Sequence, residues 1–464
     1  MHMRMVVTAF ALAGLTAAGA AQAPRRVSLV ITGGTVVTMD PGARVLPGGA
    51  VAIDGDAIVA VGTVDAIRAG YRGRQTIDAR GQVVMPGLVN THTHAPMVLY
   101  RGLADDLALM DWLERYIFPA EARTVSPAFV RAGTRLAALE MIQSGTTTFA
   151  DMYYFEEEIA KETKAAGLRG VLGQTVIQFP VADAKTPAEA LARAEAFIQA
   201  FRQDPLITPA VAPHAMYTLD GPTLRAARDL SRKYQVPTLI HLAETQAEVK
   251  TSQERFMATP VAYLDSLGFL GPGVLAAHGV WVNDADLALL KLRRVGVSHN
   301  PESNMKLASG TAPVPAYLKA GVAIGLGTDG AASNNDLDMF DAMRTASLLH
   351  KLQSQDPRVV SAREAVEMAT IGGARALGKE KEIGSLEVGK RADLIIVSMA
   401  SARQTPMYDP LSHLVYATTG SDVRTTIVNG TVLMRDRKML TLDEAAVLAE
   451  ARAWSEKVRA AVTP

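Results

Sequence analysis

The chain of 464 residues contains no cysteine. That absence excludes disulfides, thiolate metal sites and cysteine nucleophiles. It also excludes the cysteine-ligated zinc deaminases that act on nucleic-acid bases. The chain has no surplus of charge: 47 Lys and Arg balance 47 Asp and Glu, for a formal net charge of +0. So even a balance leaves no electrostatic footprint for nucleic acid or for an anionic membrane surface. Beyond the N-terminal leader, no apolar stretch is long enough to span a bilayer. Internal repeats and low-complexity linkers are missing as well.

What is present is apolar mass: 48% of residues are hydrophobic, enough to core a large barrel and a smaller domain. The N-terminus reads MHMRMVVTAFALAGLTAAGAAQAPRR. Arg4 precedes an apolar, small-residue run, which ends in the A-x-A pattern Ala21-Gln22-Ala23. Residues 1–23 therefore read as a secretory signal peptide and not as a membrane span. The expectation is export to the periplasm or beyond, with no stable membrane insertion after cleavage. A leader that does not function would leave the protein in the cytoplasm.

Residues 24–82 and 384–440 are rich in Val, Ile, Thr and Gly with frequent turn residues. They read as short strands that build one small β-sandwich from both ends of the chain. Residues 83–383 alternate strands with helices. Strand ends fall in VVMPGLVNTHTH, TTTFADMYY, RGVLGQTVI, ITPAVAPHAMY, PTLIHLAET, VLAAHGVWV, GVSHNPESN and VAIGLGTDGAASNN. Helices between them include SPAFVRAGTRLAALEMIQSG and GPTLRAARDLSRKYQ. Eight such alternations predict an α/β fold, a (β/α)8 TIM-type barrel, with chemistry at the C-terminal ends of its strands. Residues 441–464 read as a terminal helix.

One stretch raises a chemical question: PGLVNTHTHAPMVLYRGLADDL, residues 86–107. His92 and His94 are two apart, so on a strand they point to the same side. Alone, such a pair is either a metal-ligand pair or a hydrogen-bonded core pair. The chain has nine histidines. His214, His241, His278 and His299 also fall at proposed strand ends, whereas His413 does not. Asp329 ends the eighth strand; by itself it could simply cap the next helix. Together, several imidazoles and one carboxylate converging on one face of a barrel predict a catalytic metal site with room for water.

These segments carry a resemblance. MPGLVNTHTHAPMVLYRGLADDL, DWLERYIFPAEA, SGTTTFADMY, APHAMYT, IHLAET, AAHGV, SHNPESNMKLASG and LGTDGAASNN span residues 85–335. They are similar, in order, to motifs of the amidohydrolase superfamily. Within it they resemble the group that deaminates 5-methylthioadenosine and S-adenosylhomocysteine. The resemblance implies that His92, His94, His241 and Asp329 hold a divalent metal. It makes Glu244 the proton-shuttling glutamate and His278 the histidine that orients the attacking water. It implies substrate contacts from Glu121 (ribose hydroxyls) and His214, beside Glu244 and Asp329, while Trp112 either lines the pocket or packs a lid helix. His299 and Asn300 read as bracing the barrel rim. Binuclear relatives bridge two metals with a carboxylated lysine. GVLGQTVIQ and ITPAVAPH contain no lysine, which argues for one metal. Zinc is expected, though iron, manganese, nickel or cobalt suit a His3Asp set.

The implied reaction is hydrolytic removal of an amino group from an adenosine-type purine. Glu244 would donate to the ring nitrogen, and Asp329 would move the water's proton to the departing ammonia. Each role is typically worth about 10²–10⁴-fold. The alternatives are another heteroaromatic substrate (guanine, a pterin or a triazine) or a non-catalytic exported metal-binding protein. The expected partner is a small molecule, with no nucleic acid; association into a homo-oligomer is left open. One departure stands out. The group carries an arginine on strand three for the amino-acid tail of S-adenosylhomocysteine. Here that place reads Gln174, which offers no charged fork to a carboxylate, and Arg193 sits in a helix.

Overall fold

The computed structural model describes residues 23–462; the predicted leader, apart from Ala23, lies outside the described residues. Eight parallel strands form one sheet in sequence order: Leu88–Thr93, Thr146–Tyr153, Arg169–Val176, Ile207–Pro213, Thr238–Leu242, Val274–His278, Gly296–His299 and Ala323–Leu326. Every residue of the second and third strands is buried. This is the pattern of strands covered on both faces, and it explains why they read as near-continuous apolar or small runs.

The eighth strand returns beside the first, and side chains help to close the seam. The Asp329 N–H donates to the His92 carbonyl at 2.9 Å. The Thr91 hydroxyl donates to the Leu326 carbonyl at 2.8 Å. Asn90 Nδ2 donates to Thr328 Oγ1 at 2.7 Å, and Asn90 Oδ1 accepts the Thr328 N–H at 3.1 Å. The approach is close enough to require glycine. A Cβ on Gly327 would stand 2.9 Å from the His92 nitrogen and 2.6 Å from Ser298 Oγ.

Both chain ends build a second, nine-stranded mixed sheet. Arg25–Val37 and Gln82–Pro86 come from the N-terminal end, and Leu394–Ser398 and Val423–Val428 from the C-terminal end. Gln82–Pro86 joins the two halves, pairing parallel with Arg25–Val37 and antiparallel with Leu394–Ser398. That strand thus lies in the flanking sheet, although the sequence reading put residues 83–86 in the barrel. A short run buried continuously from Val83 to Pro86 does not distinguish a strand of one sheet from a strand of the other.

The flanking sheet meets the barrel at the N-terminal ends of its strands. Arg169, at the start of the third strand, forms a buried ion pair with Asp393 at 2.8 Å, and the Gly87 N–H donates to the Asp393 carbonyl at 3.1 Å. The C-terminal strand ends stay free for chemistry. The terminal helix, Glu444–Val462, packs on the helix Pro127–Ser144, with Trp454 edge-on to Phe129 and Arg135 paired with Glu450. Among the described residues, no helix is long and apolar enough to cross a membrane.

Candidate active site

His92 and His94 leave the first barrel strand on the same side, as their spacing predicts. His241 lies on the fifth strand and Asp329 follows the eighth. His94 Nε2 and His241 Nε2 are 3.3 Å apart. Asp329 Oδ1 lies 3.5 Å from His92 Nε2 and 3.4 Å from His94 Nε2. The four donor atoms thus converge on one point. Two overlapping groups here have metal-binding geometry, His92–His94–His241 and His92–His278–Asp329.

The far ring nitrogens explain the orientation. His94 Nδ1 lies 2.7 Å from the Met152 carbonyl, and His241 Nδ1 lies 2.8 Å from the His214 carbonyl. Each carbonyl can only accept, so each Nδ1 carries the proton and each Nε2 lone pair faces inward. His92 Nε2 is buried with no hydrogen-bond partner among the described residues. An orphaned buried nitrogen beside two aligned lone pairs and a carboxylate is what a cation would satisfy. A His3Asp set of this kind fits zinc and its neighbours.

The titration of these groups agrees. Burial pulls His92 down to about 4, only partly offset by Asp329. Burial, with His214 and the neighbouring histidines, holds His241 well below its usual value. Both imidazoles are neutral at physiological pH, the form that ligates. Burial pushes the Asp329 carboxyl up, but His92 beside it and the surrounding histidines outweigh that and keep it well below the carboxylate range. Ser303 Oγ and the Gly330 N–H each donate to it at 2.7 Å.

Glu244 stands three residues after His241, with its carboxylate 3.7 Å from His278 Nε2. Burial raises its pKa and Asp329 adds to that, against the opposing pull of His278. Glu248 anchors its backbone by accepting the Ala243 and Glu244 N–H groups at 2.9 and 2.8 Å. His278 Nε2 is also 3.9 Å from Asp329 Oδ2, and its Nδ1 lies 2.9 Å from Asn304 Oδ1. Burial works against its protonation, but the Glu244 and Asp329 carboxylates outweigh that and raise its pKa.

A cavity opens onto this cluster. Trp112, Glu121 and His214 all line it, with Leu113, Phe118 and Tyr217. Trp112, Leu113, Phe118 and Glu121 come from one helical run, Leu109–Thr124, whose middle, Leu113–Ile117, is wound as a π-helix. Glu121 accepts the Tyr153 hydroxyl at 2.7 Å. Burial lifts its carboxyl to about 7, with Tyr153 and Tyr154 pulling the other way. Among the described residues, no Lys or Arg lines the cavity.

Gln174 is buried and lies outside the cavity wall, donating to Asp183 Oδ2 at 2.8 Å. Arg193 is on the helix Pro187–Phe201 and pairs with Glu157 at 2.6 Å. His299 lies against His350 instead of the cluster, Nε2 to Nε2 3.0 Å, and Asn300 Nδ2 sits 3.3 Å from His278 Nδ1. His413, on the helix Pro410–Tyr416, is outside the site. Ser303 and Asn304 were not singled out in the sequence, although both lie in the quoted SHNPESN segment. His350 gave no signal, because its partner is distant in sequence.

A family model described as the amidohydrolase family matches residues 83–433. The chain belongs to the amidohydrolase family. It is 48% identical to a 5-methylthioadenosine/S-adenosylhomocysteine deaminase of Syntrophobacter fumaroxidans, over 92% of this chain and 97% of that protein. It is 46% identical to a 5'-deoxyadenosine deaminase of Methanosarcina mazei, over 94% and 99%. The crystal structure of an adenosine deaminase from Xanthomonas campestris, with bound zinc, superposes with a TM-score of 0.93 at 41% identity, over 94% of this chain and all of that one.

Proposed function

We propose that this amidohydrolase is a hydrolytic deaminase of adenosine-type purines, which replaces a ring amino group with oxygen and releases ammonia. The observation that carries the reading is geometric: the buried Glu244 carboxylate stands 3.7 Å from His278 Nε2, beside the cup in which His92, His94, His241 and Asp329 converge. Glu244 is pushed toward its protonated form and Asp329 is held as the carboxylate.

His92, His94, His241 and Asp329 would hold one divalent ion, which when bound brings water to an ionisable state near neutral pH. Zinc is the ion of choice for this donor set, with iron, manganese, nickel and cobalt as competitors. Glu244 donates its proton to the ring nitrogen beside the attacked carbon. Asp329 accepts the proton of the attacking water and returns it to the departing amine. His278, tied to Asn304 at one nitrogen, orients the water with the other. Glu121 accepts the ribose hydroxyls, while His214 and Trp112 contact the substrate across the cavity. Proton donor and acceptor are each worth about 10²–10⁴-fold.

The cation-free cavity wall and the engaged Gln174 favour neutral substituents on the sugar over the zwitterionic tail of S-adenosylhomocysteine. The test is an ammonia-release screen of 5-methylthioadenosine, 5'-deoxyadenosine, adenosine, S-adenosylhomocysteine, guanine, pterins and triazines, with metal analysis of the same sample. Adenosine derivatives should lead, with S-adenosylhomocysteine behind. A guanine, pterin or triazine at the head would replace the purine-nucleoside reading, and no ammonia from any of them would leave a metal-binding protein without this chemistry. We also propose that residues 1–23 direct export. N-terminal sequencing of protein from its native host should find a chain starting near Pro24, and a chain retaining Met1 in the cytosol would refute it.

A further inference from the structure

Two acids outside the cavity wall lie directly behind the metal cluster. Asp151 is in the second barrel strand, and Glu156 opens the helix Glu156–Ala166; both side chains are fully buried. Asp151 Oδ1 accepts the Thr93 hydroxyl at 2.6 Å and the Ala95 N–H at 2.5 Å. Those two residues flank His94 in the chain. Glu156 Oε1 accepts the Tyr153 N–H at 2.9 Å. Between Asp151 and Tyr153 stands Met152, whose carbonyl takes the Nδ1 proton of His94. The remaining oxygens, Asp151 Oδ2 and Glu156 Oε2, are both buried and each lacks a hydrogen-bond partner among the described residues, and each acid lies within reach of the other's charge.

Two ionised carboxylates would not rest side by side in so dry a place, and two orphaned oxygens would each carry a desolvation cost. A single proton held between them removes both difficulties. Burial lifts Asp151 to about 6 against its hydrogen bonds. Burial, with the charge of Asp151 added, lifts Glu156 well above the carboxylate range.

We propose that Asp151 and Glu156 form a carboxylate–carboxylic acid pair that positions His94 for its metal and Tyr153 for its contact with Glu121. The inference rests on the reading of His94 as a metal ligand. Glu156 supplies the proton and Asp151 receives it. The joined pair then ties the end of the second strand to the residues on both sides of His94. That fixes the Met152 carbonyl, and the carbonyl in turn fixes the tautomer and plane of the His94 ring. Tyr153, held by the same clamp through its N–H, presents its hydroxyl to Glu121. Neither acid touches the cavity, so both are positioning residues, acting on the reaction through groups that do.

The test is the affinity for Zn2+ of the full chain, measured by competition with a chelator after metal removal, with circular dichroism to verify the fold. Outer partners of metal ligands typically contribute about 10–100-fold to affinity. Glu156→Ala should weaken Zn2+ binding on that scale with the fold intact. Glu156→Gln should bind like the parent, because the amide oxygen still accepts from Tyr153 and the amide NH2 donates to Asp151 as the acid did. Should Glu156→Ala not fold, the near-isosteric Thr93→Val takes its place; it removes one donor to Asp151 and should cost about 10-fold. The inference is overturned if the folded variant, Ala or Val, binds Zn2+ as tightly as the parent. Glu156→Gln binding as weakly as Glu156→Ala would overturn it too. Failure of the parent to bind Zn2+ would instead remove the metal reading beneath it.

Discussion

Glu244 and Glu121 are both buried acids on the cavity wall, yet they face different tasks, and one substitution separates them. Glu244→Gln keeps the size of the side chain and the acceptor for Ser309, which donates to Glu244 Oε1 at 3.3 Å. It removes the transferable proton. The metal content should stay at the parent level while kcat falls about 10²–10⁴-fold; elemental analysis and steady-state rates on one preparation check both halves. Glu121 carries a different signature. Its carboxyl is raised to about 7, so it is protonated below that pH and a full acceptor for ribose hydroxyls above it. For nucleoside substrates kcat/KM should therefore decline as pH falls below about 7. Glu121→Gln should flatten that limb while leaving kcat near the parent value; a pH profile that keeps the limb would show that another group sets it.

At the scale of elements, the chemistry depends on how strands end and on how the barrel closes. His278 and Asp329 both hold left-handed backbone, with φ of +75° and +63°. Non-glycine residues accept this at a cost of about 1–3 kcal/mol where the surroundings dictate it. Here the turn aims each side chain inward, at the last residue of the sixth strand for His278 and three residues past the eighth for Asp329. The seam between strands one and eight is the tightest joint in the site. Gly327→Ala would drive a methyl group against the His92 nitrogen and Ser298 Oγ. The backbone nitrogen cannot yield without moving His92, a candidate ligand, so the cost should be at least about 1–3 kcal/mol, read as a lower unfolding midpoint together with weaker metal binding. A stable Gly327→Ala protein with full metal content would mean that the seam is looser than its contacts indicate. The strand ends themselves were legible, since alternating segments and histidines mark them. The flanking-sheet strand Gln82–Pro86 was not, because a short apolar run looks the same in either sheet.

For the molecule as a whole, the expected metal content is one ion per chain. The two candidate ligand groups overlap at His92, so they describe one location. Chelation should abolish ammonia release and lower the unfolding midpoint, because a ligand that binds only the native state stabilises it by mass action. Returning one equivalent of Zn2+ should restore both. Two equivalents in fully active protein would overturn the single-ion site.

The sequence by itself determined the barrel and the two-ended β domain through strand alternation, and a two-residue spacing put His92 and His94 on one side of a strand. Strand-end position left His214, His241, His278 and His299 equivalent, and the choice of His241 and Asp329 as further candidate ligands came from the resemblance to the amidohydrolase superfamily. Only the tertiary structure decided what holds those groups. Asn304 beneath His278, Ser303 on Asp329, Glu248 under the Glu244 backbone and Asp151 on the two residues that flank His94 are partners by proximity in space. Hydrogen bonds of that kind have no period or spacing in the chain. It also decided that Gln174 turns to Asp183 and away from the cavity, because where a buried amide points depends on which neighbour the fold offers it.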